Sequence, residues 1–227
     1  MDMKKYMTLP ILALLTLVTC TPGGSSANAS NEDSSATIST LSSTVPADGV
    51  KEADAVLPAS AKLADETEKN ALYLNVEEEA TEDVLANKVT VWLKDKATGQ
   101  VRLLLTTNPM ADLRWEDMVD NHAVDVGLDQ IAAADNAFFV PWDESKILVQ
   151  GCPDARNIWT YIVDTKQKSA MQFPAKEGLF NFDQDNHRLI LLDYKYHIEN
   201  GRYSVAQTYT VDGAFVSERI FDESESN

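Results

Sequence analysis

Between Tyr73 and Phe221, apolar residues recur mostly at every second position, the period of a strand whose two faces meet different surroundings. Val89-Thr-Val-Trp-Leu93 and Val101-Arg-Leu-Leu-Leu105 flank Asp95-Lys-Ala-Thr-Gly99, which predicts a β-hairpin with a glycine-containing loop. Ile158-Trp-Thr-Tyr-Ile-Val163 and Ala170-Met-Gln-Phe173 flank Asp164-Thr-Lys-Gln in the same way. A third pair, residues 203–211 and 215–221, flanks Asp212-Gly213. Each pair runs into an aspartate, whose carboxylate is expected to accept backbone N–H groups of the turn.

A longer unit also recurs. Phe138-Phe-Val-Pro-Trp-Asp-Glu-Ser-Lys-Ile-Leu-Val149 aligns with residues 180–192: an aromatic-Asp pair, a polar turn, then an aliphatic strand. Trp142-Asp143 and Phe182-Asp183 lie 40 residues apart. Two four-strand units are therefore expected, plus one outer hairpin near residue 90. Units of this length resemble the blades of β-propellers. The resemblance implies a mainly-β fold, antiparallel sheets with blade-like repeated four-strand units, with length for about three blades. An open stack, a sandwich, a barrel or a ring completed by an oligomer all fit that expectation. Two stretches depart from the strand period: residues 65–79 have helix-forming composition and read as the frayed edge of the domain. Residues 112–124 read as a short helix or a crossing loop.

Ahead of this block the pattern changes. Residues 21–72 contain no Phe, Trp or Tyr and are dominated by Ser, Ala, Thr, Asn and acidic residues. Such a composition buries too little apolar surface to offset chain entropy, so 20–70 is expected to be a disordered tether. A flexible run of about 45 residues reaches roughly 35–40 Å. Earlier still, Lys4 and Lys5 precede an apolar run over residues 9–18. Ten apolar residues fall short of the ~20 that span a bilayer and fit the core of a secretory signal.

Leu17-Val18-Thr19-Cys20 resembles the lipobox of bacterial lipoproteins. The resemblance implies that 1–19 is a signal peptide and that Cys20 carries the lipid as the mature N-terminus. Several acyl chains at ~0.8 kcal/mol per methylene would then hold the protein in a leaflet. Thr21, in place of an Asp, implies the outer membrane. Thr19 stands where Gly, Ala or Ser is commoner in that family, and cleavage after Ala27-Asn28-Ala29 is the rival route. The expected organisation is signal peptide 1–19, tether 20–70, a mainly-β domain 71–222 and an acidic tail 223–227.

Charge narrows the partners. With 19 Lys+Arg against 36 Asp+Glu, the net charge is -17, which repels nucleic-acid phosphates. Three scattered histidines and two cysteines provide no metal-ligand spacing, and no metal or other cofactor is expected. Asp183-Gln-Asp185-Asn186 has the look of a calcium loop, but the sixth and twelfth places hold Arg188 and Tyr194 rather than Gly and Glu; it reads as a polar turn. Cys152 reads as a packing residue.

No nucleophile-elbow, phosphate-loop, dinucleotide or zinc-protease motif occurs, so the chain is read as a non-enzyme. In the segment 190–197, Ile190, Leu192, Tyr194 and Tyr196 share one strand face. Tyr194 and Tyr196, with Trp142 or Trp115, are the candidate platform for stacking a glycan or docking an envelope protein. The expected role is a lipid-anchored binding or interaction module of the envelope. A carboxylate-dependent hydrolase and a purely structural accessory are the alternatives.

Overall fold

The middle of the molecule is a sheet that is apolar on both sides, and the rest is arranged around it. The computed structural model describes residues 55–111, 121–154, 157–175, 177–197 and 201–220. The central sheet is a meander of β6 (Asn136–Val140), β7 (Asp143–Gly151), β8 (Trp159–Asp164) and β9 (Ser169–Phe173), with β5 (Val124–Val126) added outside β9. Along β7 and β8, Ile147, Val149, Tyr161 and Val163 join one core, while Leu148 and Ile162 join the other. That is why Ile147-Leu-Val149 and Tyr161-Ile-Val163 read as unbroken apolar runs: each of these residues is buried, whichever way it points.

The first sheet is the meander β1 (Lys62–Glu66), β2 (Asn70–Glu78), β3 (Lys88–Asp95) and β4 (Val101–Thr106). It packs Leu72, Val89, Val91, Leu93 and Leu105 against Ala137, Phe139, Ile147 and Val149 of the central sheet. The third sheet is the meander β10 (Phe180–Asp183), β11 (Arg188–His197), β12 (Gly201–Thr210) and β13 (Phe215–Ile220). It packs Phe180, Phe182, Leu189, Leu191 and Tyr209 against Leu148, Ile162 and Phe173. The mainly-β, antiparallel expectation holds, with blade-like four-strand meanders. Three units are complete rather than two and a hairpin.

Their first strands lie together. β1 and β2 run beside β6, and Phe138 of β6 meets Phe180 of β10 with ring centroids 5.1 Å apart. On the other side, the β12–β13 turn at Gly213 sits against Met171 of β9. The three sheets therefore fan out from a shared inner side.

Two expectations are corrected at the N-terminal end of the domain. The helix-forming composition of 65–79 gives way to β2, which pairs with β3 from Asn70↔Asp95 to Glu78↔Lys88. Leu72 is fully buried there, and packing against the central sheet outweighs a helix preference of a few tenths of a kcal/mol per residue. Strand β1 lies inside the stretch 20–70 expected to be tether. Its side chains add little to the core, since Leu63 remains half-exposed. It is held instead by backbone pairing with β2 and by Asp65 Oδ2, which accepts the N–H of Phe139 at 2.8 Å. Composition does not register such bonds.

Turn chemistry follows the repeat with one displacement. Asp95 Oδ1 accepts from the N–H groups of Ala97 and Thr98, both at 2.8 Å. Asp164 Oδ1 accepts from Lys166 at 2.9 Å and Gln167 at 2.8 Å. Each aspartate is the last residue of its strand. At the matching position β12 ends in Thr210, whose Oγ1 accepts from Ala214 at 3.1 Å. Asp212 comes two residues too late to cap this turn and pairs with Lys146 instead. Gly213 holds φ at +86°, which a side chain would strain.

Candidate functional site

A three-layer arrangement leaves the back of the first sheet and the front of the third without a further sheet among the described residues. On the third sheet the register sets Ile190 opposite Thr208, Leu192 opposite Ala206, Tyr194 opposite Ser204 and Tyr196 opposite Arg202. These residues point away from Leu189, Leu191 and Tyr209, which are buried against the central sheet. Tyr196 is 72% exposed. Its ring meets that of Tyr194 edge-to-face, 5.6 Å between centroids. The guanidinium of Arg202 lies 4.1 Å over the Tyr194 ring and pairs with Glu177, so Tyr194 is clamped while Tyr196 stands open.

The back of the first sheet carries a second row. Leu63, Tyr73, Trp92 and Leu103 are successive cross-strand partners through all four strands. Leu63 and Leu103 are 52% and 46% exposed; Tyr73 and Trp92 are half-buried. The indole N–H of Trp92 donates to Thr90 Oγ1 at 2.9 Å, which fixes the ring on the sheet. Sequence reading passed over this row. The available signal was parity, since Trp92 falls between Val91 and Leu93 and must face the other way.

Trp142 does not join the tyrosines. It sits in the β6–β7 turn, edge-to-face with Phe182 at 5.6 Å and stacked on His187 at 5.1 Å. Tyr194 lies six residues along β11 from Arg188, or about 20 Å at strand rise. Trp142 thus ties two turns together across neighbouring sheets. Trp115 and most of the stretch 112–124 lie outside the described residues, as does Cys20; Val124 opens β5 rather than ending a helix. Half-buried Cys152 follows β7 and donates its backbone N–H to Asp135 Oδ2 at 2.8 Å.

The resemblance to a calcium loop ends in a self-contained turn. Asp183 accepts the Asn186 backbone N–H on Oδ1 at 3.2 Å and its side-chain amide on Oδ2 at 2.8 Å. Those bonds, the side-chain one foremost, hold the Asp183 carboxyl below its ordinary range. No group of three or more His, Cys, Asp or Glu side chains able to hold a metal occurs among the described residues.

Several carboxylates elsewhere are tied to cations. A cleft of about 160 Å³ between the second and third sheets holds Asp125, Lys146, Asp164 and Asp212. Lys146 Nζ lies 3.8 Å from Asp164 Oδ2 and pairs with Asp212. A wider cleft of about 420 Å³ beside β2 and β3 contains Glu78, which Lys88 binds at 2.6 Å.

The most connected polar cluster is built on Gln207, which is 1% exposed. Its Nε2 donates to Asn121 Oδ1 at 2.9 Å and to Glu218 Oε2 at 3.0 Å. Tyr209 donates its hydroxyl to Gln207 Oε1 at 3.0 Å, and Lys195 Nζ lies 2.7 Å from Glu218 Oε2. Burial is the largest single influence on Glu218 and opposes its charge. Hydrogen bonds from Lys195, Gln207 and Asn121, with the Lys195 charge, outweigh it and leave the carboxyl below its ordinary range. Tyr209 is pushed up by burial, then by Asp193 and Glu218. At neutral pH one group stays ionised and the other neutral, an arrangement that fixes strands rather than moving protons.

A depressed carboxyl contributes stability that is complete above its unfolded value and lost as pH falls through the folded one. The urea midpoint is therefore expected to fall on acidification below about pH 4.5. Glu218→Gln is expected to cost about 1–2 kcal/mol at pH 7 and to flatten that acid limb. An acid limb unchanged in the variant would remove Glu218 from this role.

No family model matches the chain, and no curated protein matches it. Among solved structures, it is similar to the β-propeller domain of the Trilobed protease from Pyrococcus furiosus, at 10% identity and TM-score 0.43, over 72% of this chain and 43% of that one. It is similar also to the Pyrococcus horikoshii acylaminoacyl peptidase, at 12% identity and TM-score 0.45, over 72% of this chain and 25% of that one. A third likeness is to a eukaryotic initiation factor, at 11% identity and TM-score 0.38, over 71% and 33%. The chain spans less than half the length of each of these proteins.

Proposed function

We propose that this protein is a lipid-anchored module of the bacterial envelope, held at the outer membrane through Cys20, that binds a macromolecular partner through flat aromatic sheet faces. The observation that supports this reading is Tyr196, 72% exposed beside Tyr194 on a sheet face with no further layer among the described residues. A large exposed ring set edge-to-face on a clamped neighbour offers apolar contact area, as binding surfaces do. A hydrolase reading finds less support, because Lys146 is already paired with two of the carboxylates in its cleft.

The anchor and the surface are tested separately. Metabolic palmitate labelling is expected in the wild type and absent in Cys20→Ser, which should also leave the outer-membrane fraction; equal labelling of both would remove the anchor. For the surface, a photoreactive benzoylphenylalanine replaces Tyr196 in the full-length chain in living cells. A light-dependent adduct is expected there and not from the same probe at Lys166, in an exposed turn. Without an adduct at 196 the binding reading falls.

A further inference from the structure

We infer that the partner of these two faces is a second copy of this chain, joined so that the two copies close a six-bladed ring; this rests on the binding reading above. Both internal interfaces have one form, the front of one sheet on the back of the next. The front of the first sheet, with Leu72, Val91 and Leu93, covers Phe139 and Ile147 on the back of the second. The front of the second, with Leu148 and Ile162, covers Leu189 and Leu191 on the back of the third. What remains is one back, the row Leu63, Tyr73, Trp92 and Leu103, and one front, the row Ile190, Leu192, Tyr194 and Tyr196.

These are the two halves of a third interface of the same kind. They cannot meet within one chain, because the central sheet stands between them. A second copy supplies each half with its complement, and a two-fold pairing makes the contact twice. Such front-to-back contacts are heterologous: they close into a ring or run on as a filament. The fan favours closure, since β1, β6 and β10 lie together on one side and each added sheet turns about that side.

Blade number selects the pair. Propellers close with roughly four to eight four-stranded blades. Three fall short and nine exceed the range, so among multiples of three only six fits. Charge does not forbid the contact despite a net -17 per chain. The front of the third sheet carries Arg202 and Arg219, and the back of the first carries Glu66 and Lys94, both in register with Ala71, so neither face is uniformly acidic.

The probe at position 196 decides the matter in the full-length chain, in cells carrying two differently tagged copies. The expected adduct contains both tags and maps to the back of the first sheet of the second copy. Leu63→Glu with Leu103→Glu should lower its yield about tenfold or more. Leu85→Glu, exposed but outside both rows, should leave the yield unchanged. An adduct with a different protein or a glycan would overturn the six-bladed ring while leaving the binding reading standing. A self-adduct joining position 196 to the same face of the other copy would overturn it too, because that contact is face-to-face and closes no ring. Absence of any adduct would remove both.

Discussion

Trp159→Ala is expected to lower the unfolding free energy by about 3–5 kcal/mol, the range for deleting a large buried aromatic. The residue opens β8 in the central sheet, is 2% exposed, and belongs to the cluster that contains Leu72, Val91, Phe139 and Ile147. Removing the indole leaves a cavity between two sheets that cannot close without shifting paired strands. Against a typical total of 5–15 kcal/mol, the loss is large enough to populate the unfolded chain at ordinary temperature. Urea titration measures it as a lower midpoint at unchanged slope. Trp92→Ala, on the back of the first sheet that no other sheet of the same chain covers, serves as the comparison, measured at a dilution that leaves the chain monomeric, and should cost clearly less. Equal costs would mean that the two indoles have similar surroundings and would undo the account of the layers.

Gly151→Ala should destabilise by about 2–3 kcal/mol, as overpacking does in a site that cannot yield. A methyl group there would lie 2.4 Å from the carbonyl carbon of Ala133 and 2.6 Å from its Cβ and its oxygen. Those atoms belong mostly to backbone, and Asp135 donates its N–H to the Gln150 carbonyl at 2.7 Å nearby, so the segment has no slack. Gly99 provides the contrast. It holds φ at +74° with open space around it, and Gly99→Ala should cost only about 1 kcal/mol in backbone strain. Thermal or urea unfolding of both variants separates steric collision from conformational preference. A cost for Gly151→Ala no greater than that for Gly99→Ala would contradict the close approach.

Local features were legible in the chain. Alternation across 89–93, 101–105 and 158–163 located β3, β4 and β8, because side-chain period is a property of the strand itself. Asp95 and Asp164 were readable as turn residues for the same reason: each bonds N–H groups two and three positions away. The parity that sets Tyr194 and Tyr196 on one face was equally local. What escaped was whatever depends on a distant neighbour. β1 and β2 look helical or tether-like until β3 and Phe139 hold them. Trp142 looks like half of a platform until Phe182 and His187 enclose it. The row from Leu63 to Leu103 exists only through the register of four strands, two of which had not been anticipated. Thr210 took the capping place that Asp212 promised because strand ends, not residue types, decide which side chain reaches the turn.

Because β7 and β8 lend alternate side chains to both cores, the molecule has a keystone rather than a row of equal stones. An end sheet can be altered, or even exchanged, while the surface it folds against survives. Change the middle one, and neither outer sheet has a floor to form upon.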